Sequence, residues 1–222
     1  MITVHHLNNS RSQRVLWLLE ELGISYQVVH YKRGADMRAP AELRRIHPLG
    51  KSPVITDGDI VVAETGAIIE YILDVYGNGR LQAPTGTPAR RSYTYWLHYA
   101  EGSAMPLLLL KLIFLRMPGN VPALLKPLVK KIAAKAQATI TDPQLSQHVH
   151  YWNDALTPTG WFAGTEFSAA DIMMSFPLEA AASRVGLDQQ RHAAVLGFLE
   201  RIHARPAYQR AIQTGGPYEL LK

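Results

Sequence analysis

The chain has 222 residues, with 23 Lys and Arg against 18 Asp and Glu and 47% hydrophobic residues, a balance that fits one or two globular domains and excludes disorder over most of its length. It contains no cysteine, which excludes a disulfide framework, a thiolate zinc site and a cysteine nucleophile, so any thiol in its chemistry must come from a ligand. Met1-Ile2-Thr3-Val4-His5-His6 lacks the basic-then-apolar order of a secretory signal, and the most apolar stretch, residues 105–115, is interrupted by Pro106 and Lys111, so a cytoplasmic protein without membrane insertion is expected.

In chain order, Ile2–Leu7 is a short β-rich run, after which Val15, Leu18, Leu19 and Leu22 recur at helical spacing as far as Gly23. Tyr26–Tyr31 returns to strand character, and residues 39–46 read as a short helix started near Pro40. Two apolar runs, residues 53–56 and Ile60–Ala63, flank Asp57-Gly58-Asp59 and signal a hairpin. Thr65–Tyr76 then places Ile68, Ile69, Ile72 and Leu73 on one helical face. The order βαβαββα predicts a mixed sheet, parallel at its start and antiparallel at its end.

Residues 77–88, rich in Gly and Pro, read as a linker, which divides the chain into residues 1–80, a linker over 81–88 and a second domain over 89–222. That second domain shows long helical patterns and no hairpin, with breaks at Pro118-Gly119, Thr157-Pro158-Thr159-Gly160 and Gly186, and about five helices are expected there. The formal charge of +5 is local, because no acidic residue lies between Glu101 and Asp142 while Lys111, Arg116, Lys126, Lys130, Lys131 and Lys135 do. Lys126, Lys130 and Lys131, interleaved with Leu124, Leu125, Leu128 and Val129, predict a helix with one solvated face able to attract anionic ligands. Basic and aromatic residues are not interleaved there, so no nucleic-acid partner is expected.

Several motifs in this order resemble one family. They are Ser10-Arg11-Ser12, Trp17-Leu18-Leu19-Glu20-Glu21-Leu22, Tyr31-Lys32-Arg33, Arg38-Ala39-Pro40, residues 46–53 (Ile-His-Pro-Leu-Gly-Lys-Ser-Pro), Glu64-Thr65-Gly66, Glu101-Gly102-Ser103 and Ser168-Ala169-Ala170-Asp171-Ile172. Together they are similar to the cytosolic glutathione transferases, in particular to a fungal and bacterial branch. The resemblance implies a thioredoxin-like domain that binds glutathione, followed by an all-helical domain, in a homodimer. It implies conjugation of glutathione to hydrophobic electrophiles in detoxification, with reduction of organic hydroperoxides as a further activity. The alternatives are a non-catalytic binding or regulatory protein of the same fold and a Cys-free glutathione-disulfide reductase.

The resemblance gives individual residues a role. A Pro opening an apolar strand cannot donate to the ladder, and a cis bond at Pro53 would turn the chain so that Val54 could pair through its main chain with an extended peptide. The family holds the cysteinyl unit of glutathione in this way, with Lys51 near the glycyl carboxylate. Glu64-Thr65 lies where a strand hands over to a helix, and exposed N–H groups at such a junction make an anion site. Thr65 is matched to the γ-glutamyl carboxylate and Glu64 to its ammonium, although either residue could simply cap the helix.

Ionising the thiol requires a donor near the first helix, and each unit of pKa depression is worth about 1.4 kcal/mol. Ser10 is the expected donor, with Asn9 second, and Ser10 or Ser12 would also serve as a plain cap. Ser168 and Asp171 form a capping box and are expected to be structural. No metal is expected, since a helix points His148 and His150 apart. Residues 105–117 are read mostly as core, with one or two side chains facing the electrophile. The aromatic run Tyr93, Tyr95, Trp96 and Tyr99 is the expected contributor to a dimer interface.

Overall fold

The computed structural model describes residues 1–34, 38–216, 218 and 220. Strand β1 (Ile2–Leu7) pairs in parallel with β2 (Tyr26–Tyr31), placing Ile2 opposite Tyr26, through the crossover helix α1 (Ser12–Leu22). On its other side β1 runs antiparallel to β3 (Val54–Asp57), and β4 (Ile60–Ala63) completes a sheet of order β2-β1-β3-β4. Asp57 pairs with Ile60 across the two-residue turn Gly58-Asp59, and Gly58 takes φ 58°, which costs glycine nothing sterically.

Helix α1 is buried almost all round, with Val15, Leu16, Trp17, Leu18 and Leu19 at most 1% exposed. Such a helix must be covered on every side, and α1 lies between the sheet and the helical half of the molecule, where Trp17 packs on Tyr208 and Phe167. Helix α2 (Leu43–Ile46) is shorter than the expected 39–46 segment, since the chain leaves Pro40 through a turn and becomes helical only at Leu43. Helix α3 (Thr65–Tyr76) buries Ile68, Ile69, Ile72 and Leu73, the face its spacing predicts.

Residues 77–87 contain no helix or strand, yet they are tied down. The Ala169 N–H donates to Leu81 O at 2.9 Å and Arg90 Nη1 to Gln82 Oε1 at 3.1 Å. Beyond them come α4 (Pro88–Tyr99), α5 (Met105–Arg116), α6 (Lys126–Ala136), α7 (Asp142–Leu156), α8 (Ala169–Arg184), α9 (Ala193–His203) and α10 (Pro206–Gly215). A π-helical turn over Ala100–Ala104 joins α4 to α5 without a break, and a second over Gln137–Thr141 joins α6 to α7. The seven α-helical segments therefore form five continuous rods. Helix α8 runs through the centre, buried at every position from Ala169 to Ala181. It starts at a capping box in which Asp171 accepts from the Ser168 N–H at 2.8 Å and also from the Phe162 N–H at 2.8 Å.

Two expectations change. Helix α6 is not half-buried, because Ala133 is its sole buried residue, while Leu128 and Ile132 are 58% and 56% exposed. Tyr93 and Trp96 are 2% and 4% exposed within the chain's own core, so they cannot serve a dimer interface. Tyr95, on the opposite side of the helix, is 47% exposed. Among the described residues no helix is long and apolar enough to cross a membrane.

Candidate functional site

Three loops at one end of the strands meet the helical half. These are the turn from β1 into α1 with Arg11, the loop Lys51-Ser52-Pro53 entering β3, and the β4–α3 junction Ala63-Glu64-Thr65. They line a cavity of about 280 Å³ that Glu101 of the π turn and Leu109 of α5 close from the other side. The Ser52–Pro53 bond is cis.

At the β4–α3 junction Glu64 takes φ 72°, ψ 128°, a region that strains any residue with a Cβ by about 1–3 kcal/mol. Its side chain makes no cap hydrogen bond, so the N–H groups opening α3 keep their capacity for an anion. Thr65, 3% exposed, accepts from Arg14 Nη2 at 3.2 Å. Its hydroxyl proton thus stays available to a second partner. Lys51 is exposed at the rim.

Val54 is not where the sequence pattern puts it. It is 1% exposed, sits between His5 of β1 and Ala63 of β4, and is absent from the cavity wall. Its main chain is flanked by strands on both sides, so it cannot take an added peptide. Ser52 lines the cavity instead, anchored by its Oγ donating to His5 O at 3.0 Å.

Ser10, 5% exposed, belongs to a buried row of hydroxyls. Its Oγ accepts from the Ser12 N–H at 3.3 Å, lies 2.7 Å from Ser12 Oγ and 3.5 Å from Ser52 Oγ, and Ser12 Oγ lies 2.9 Å from His6 Nδ1. Ser10 thus satisfies the first N–H of α1, whose N-cap position is held by Arg11. Burial, with His30 nearby, pushes the His6 pKa down to about 4, so its ring is neutral near pH 7 and carries one N–H. A proton on Nδ1 makes Ser12 donate to Ser10 and leaves the Ser10 proton to turn toward Ser52, which lines the first cavity. A proton on Nε2 draws the Ser12 proton to His6 and the Ser10 proton to Ser12. Asn9, with φ 51°, lines an adjoining cavity of about 520 Å³ that shares Arg11 and Leu109 with the first. Met105, Leu109, Leu112 and Leu115 of α5 form its apolar wall.

Beneath both cavities lies a charge cluster with no local sequence signal. Arg14, buried in the interface between the two halves, reaches Glu101, Thr65 and Met173 O, the last at 2.8 Å. Arg11 Nε holds the same carboxylate at 2.9 Å. Burial alone would raise the Glu101 pKa, but the two guanidiniums hold it below the ordinary value. Pairings 87 and 90 residues apart could have been suspected only from the motif Glu101-Gly102-Ser103. His148 and His150 use different partners, Tyr99 OH and Ser146 O, and the described residues contain no group of three or more His, Asp or Glu placed to hold a metal.

Residues 1–74 match the family model described as glutathione S-transferase, N-terminal domain. Glutathione S-transferase 3 of Schizosaccharomyces pombe is 30% identical over 213 residues, covering 96% of this chain and 87% of that protein. Glutathione S-transferase 1 of Saccharomyces cerevisiae is 31% identical over 216 residues, covering 94% and 92%. Among solved structures, a glutathione S-transferase from Actinobacillus pleuropneumoniae superposes with a TM-score of 0.81 at 32% identity, covering 100% of this chain and 96% of that one.

Proposed function

We propose that this chain, which belongs to the glutathione S-transferase family, binds glutathione in the cavity between the α3 N-terminus and Glu101 and joins its sulfur to a hydrophobic electrophile seated against α5. Glutathione is the co-substrate, and the activity is that of a glutathione transferase. The observation that carries the site assignment is the meeting of Lys51, Ser52, Glu64, Thr65 and the open first turn of α3 in one wall of the cavity. In this reading Thr65 and the α3 N–H groups hold the γ-glutamyl carboxylate, Glu64 and Glu101 its ammonium, Lys51 the glycyl carboxylate, and the main chain of Ser52 the cysteinyl unit.

The thiol proton leaves to solvent, and a donor at the α1 turn, Ser10 or Asn9, stabilises the sulfur anion. The anion forms the new C–S bond while the electrophile's leaving group departs with its electron pair. Neither step asks for a metal or a protein thiol. The working form is a cytoplasmic homodimer.

Hydrogen bonds to charged groups typically contribute about 1.5–3 kcal/mol each. The double variant Lys51→Ala, Thr65→Ala should therefore bind glutathione at least about tenfold more weakly by calorimetry, with a melt recorded alongside because Thr65 also serves Arg14. An unchanged affinity in a folded double variant removes the site assignment.

A further inference from the structure

The second cavity is apolar on one side and cationic on the other. Besides the α5 wall and Phe176 it is lined by four arginines, Arg11, Arg33, Arg116 and Arg184, and, among the described residues, by no Asp or Glu. Arg11 is paired with Glu101, whose carboxylate it shares with Arg14. Arg184 is not: it is partly buried, its Nη1 donates to Leu108 O at 3.3 Å, and no carboxylate lies within ion-pair distance of it among the described residues. Burial and the neighbouring Arg116 and Arg11 charges depress its pKa. Arg116 has no carboxylate partner among the described residues either.

Arg184 ends α8 and Arg116 ends α5, and a cation is favoured at each helix C-terminus. That accounts for each alone. It does not account for the partly buried Arg184 and the exposed Arg116 lining one cavity, where two guanidiniums without a carboxylate partner among the described residues repel each other. An anion placed between them would relieve the repulsion and gain charge-assisted hydrogen bonds.

We propose that the electrophile site selects substrates with an apolar body and one anionic group, a carboxylate or similar oxyanion, held between Arg184 and Arg116 with the electrophilic carbon toward Arg11 and the glutathione sulfur. The apolar body lies on Leu109, Leu112 and Phe176. The anionic group is a handle that takes no part in bond making. This proposal rests on the transferase reading above.

The test compares 1-chloro-2,6-dinitrobenzene with its carboxylate analogue 4-chloro-3,5-dinitrobenzoate. In both, the sulfur anion forms the C–S bond and chloride leaves with the electron pair. Each kcat/KM is divided by the uncatalysed rate with glutathione, so that intrinsic reactivity cancels. The wild-type protein should favour the carboxylate by about tenfold or more, and added salt should erode that preference. The double variant Arg116→Gln, Arg184→Gln should bring the ratio toward one, and Arg184→Lys should keep part of it. A wild-type ratio at or below one overturns the proposal, whether or not the double variant folds, as does an unchanged ratio in a folded double variant. Efficient conjugation of the neutral substrate in either case leaves the transferase reading standing, whereas conjugation of neither substrate removes that reading and this one with it.

Discussion

Ser10 has one hydroxyl proton and three oxygens or nitrogens competing over it through the row Ser52, Ser12 and His6. If that proton points into the cavity, Ser10→Ala should raise the apparent pKa of bound glutathione, read from thiolate absorbance. It should lower the rate near pH 7 about thirtyfold or more, since losing a preorganised donor to an anion costs about 2–4 kcal/mol. Glutathione affinity should change little. A small effect of Ser10→Ala beside a large effect of Asn9→Ala transfers the role to Asn9, and two null results leave the backbone N–H groups of α1. At this scale short motifs single out Lys51, Glu64 and Thr65, and the structure brings all three to one cavity wall. Those motifs also point to Val54 as a backbone partner, whereas strand pairing covers Val54 on both sides and it is Ser52, before Pro53, that lines the cavity. Arg14 and Glu101 were illegible because their meaning lies in each other, across the fold.

The elements of the first third were legible because each carries its own signal, a strict helical face in α3 and a Gly turn between β3 and β4. The rods of the second half were harder to divide. A π turn keeps the helical rod continuous, so Gly102, Pro106 and Pro143, which would ordinarily mark helix ends, do not divide the rods there. Close packing of α10 on α1 was equally hidden. At Gly215 an added Cβ would run into Gln13 Oε1 and lie 3.1 Å from Leu16 Cδ1 and 3.2 Å from His6 Cε1. Overpacking of this kind typically costs about 1–3 kcal/mol, and Ala returns up to about 1 kcal/mol of helix propensity. Gly215→Ala should therefore lower the urea midpoint and displace His6. Unaltered stability would show that α10 can retreat from α1 freely.

Across the whole molecule, α1 is the part both halves hold. Arg205 grips Glu21 at 2.6 and 2.9 Å and Arg210 meets Glu20 at 2.7 Å, while Arg14 and Arg11 reach the other way to Glu101. The proposed dimer belongs to this scale. Ile60 and Val61 on β4, Val75 on α3, and Tyr95 with Tyr151, whose ring centroids are 6.5 Å apart, are exposed large apolar groups, and burying such groups against a second copy would remove them from water. Light scattering at micromolar concentration should give about twice the chain mass of 24.7 kDa. A monomer mass would refute the dimer, and a dimer that survives Tyr95→Ser with Tyr151→Ser would move its contact surface elsewhere.

The π turn ahead of α5 also acts as a phase shifter. The Met105 N–H reaches back to Ala100 O, five residues rather than four, so one residue is inserted without a matching advance in winding. An α-helix turns about 100° per residue, and the insertion offsets every later side chain by that angle from the course α4 would have set. Met105, Leu109, Leu112 and Arg116 share a face at spacings of four, three and four, and that face lines the second cavity because of the offset. A one-residue deletion within Ala100–Ala104 that restored plain winding would rotate this set away together and turn a neighbouring stripe inward. A change of length, with no substitution, could thus replace the substrate-facing wall in a single step.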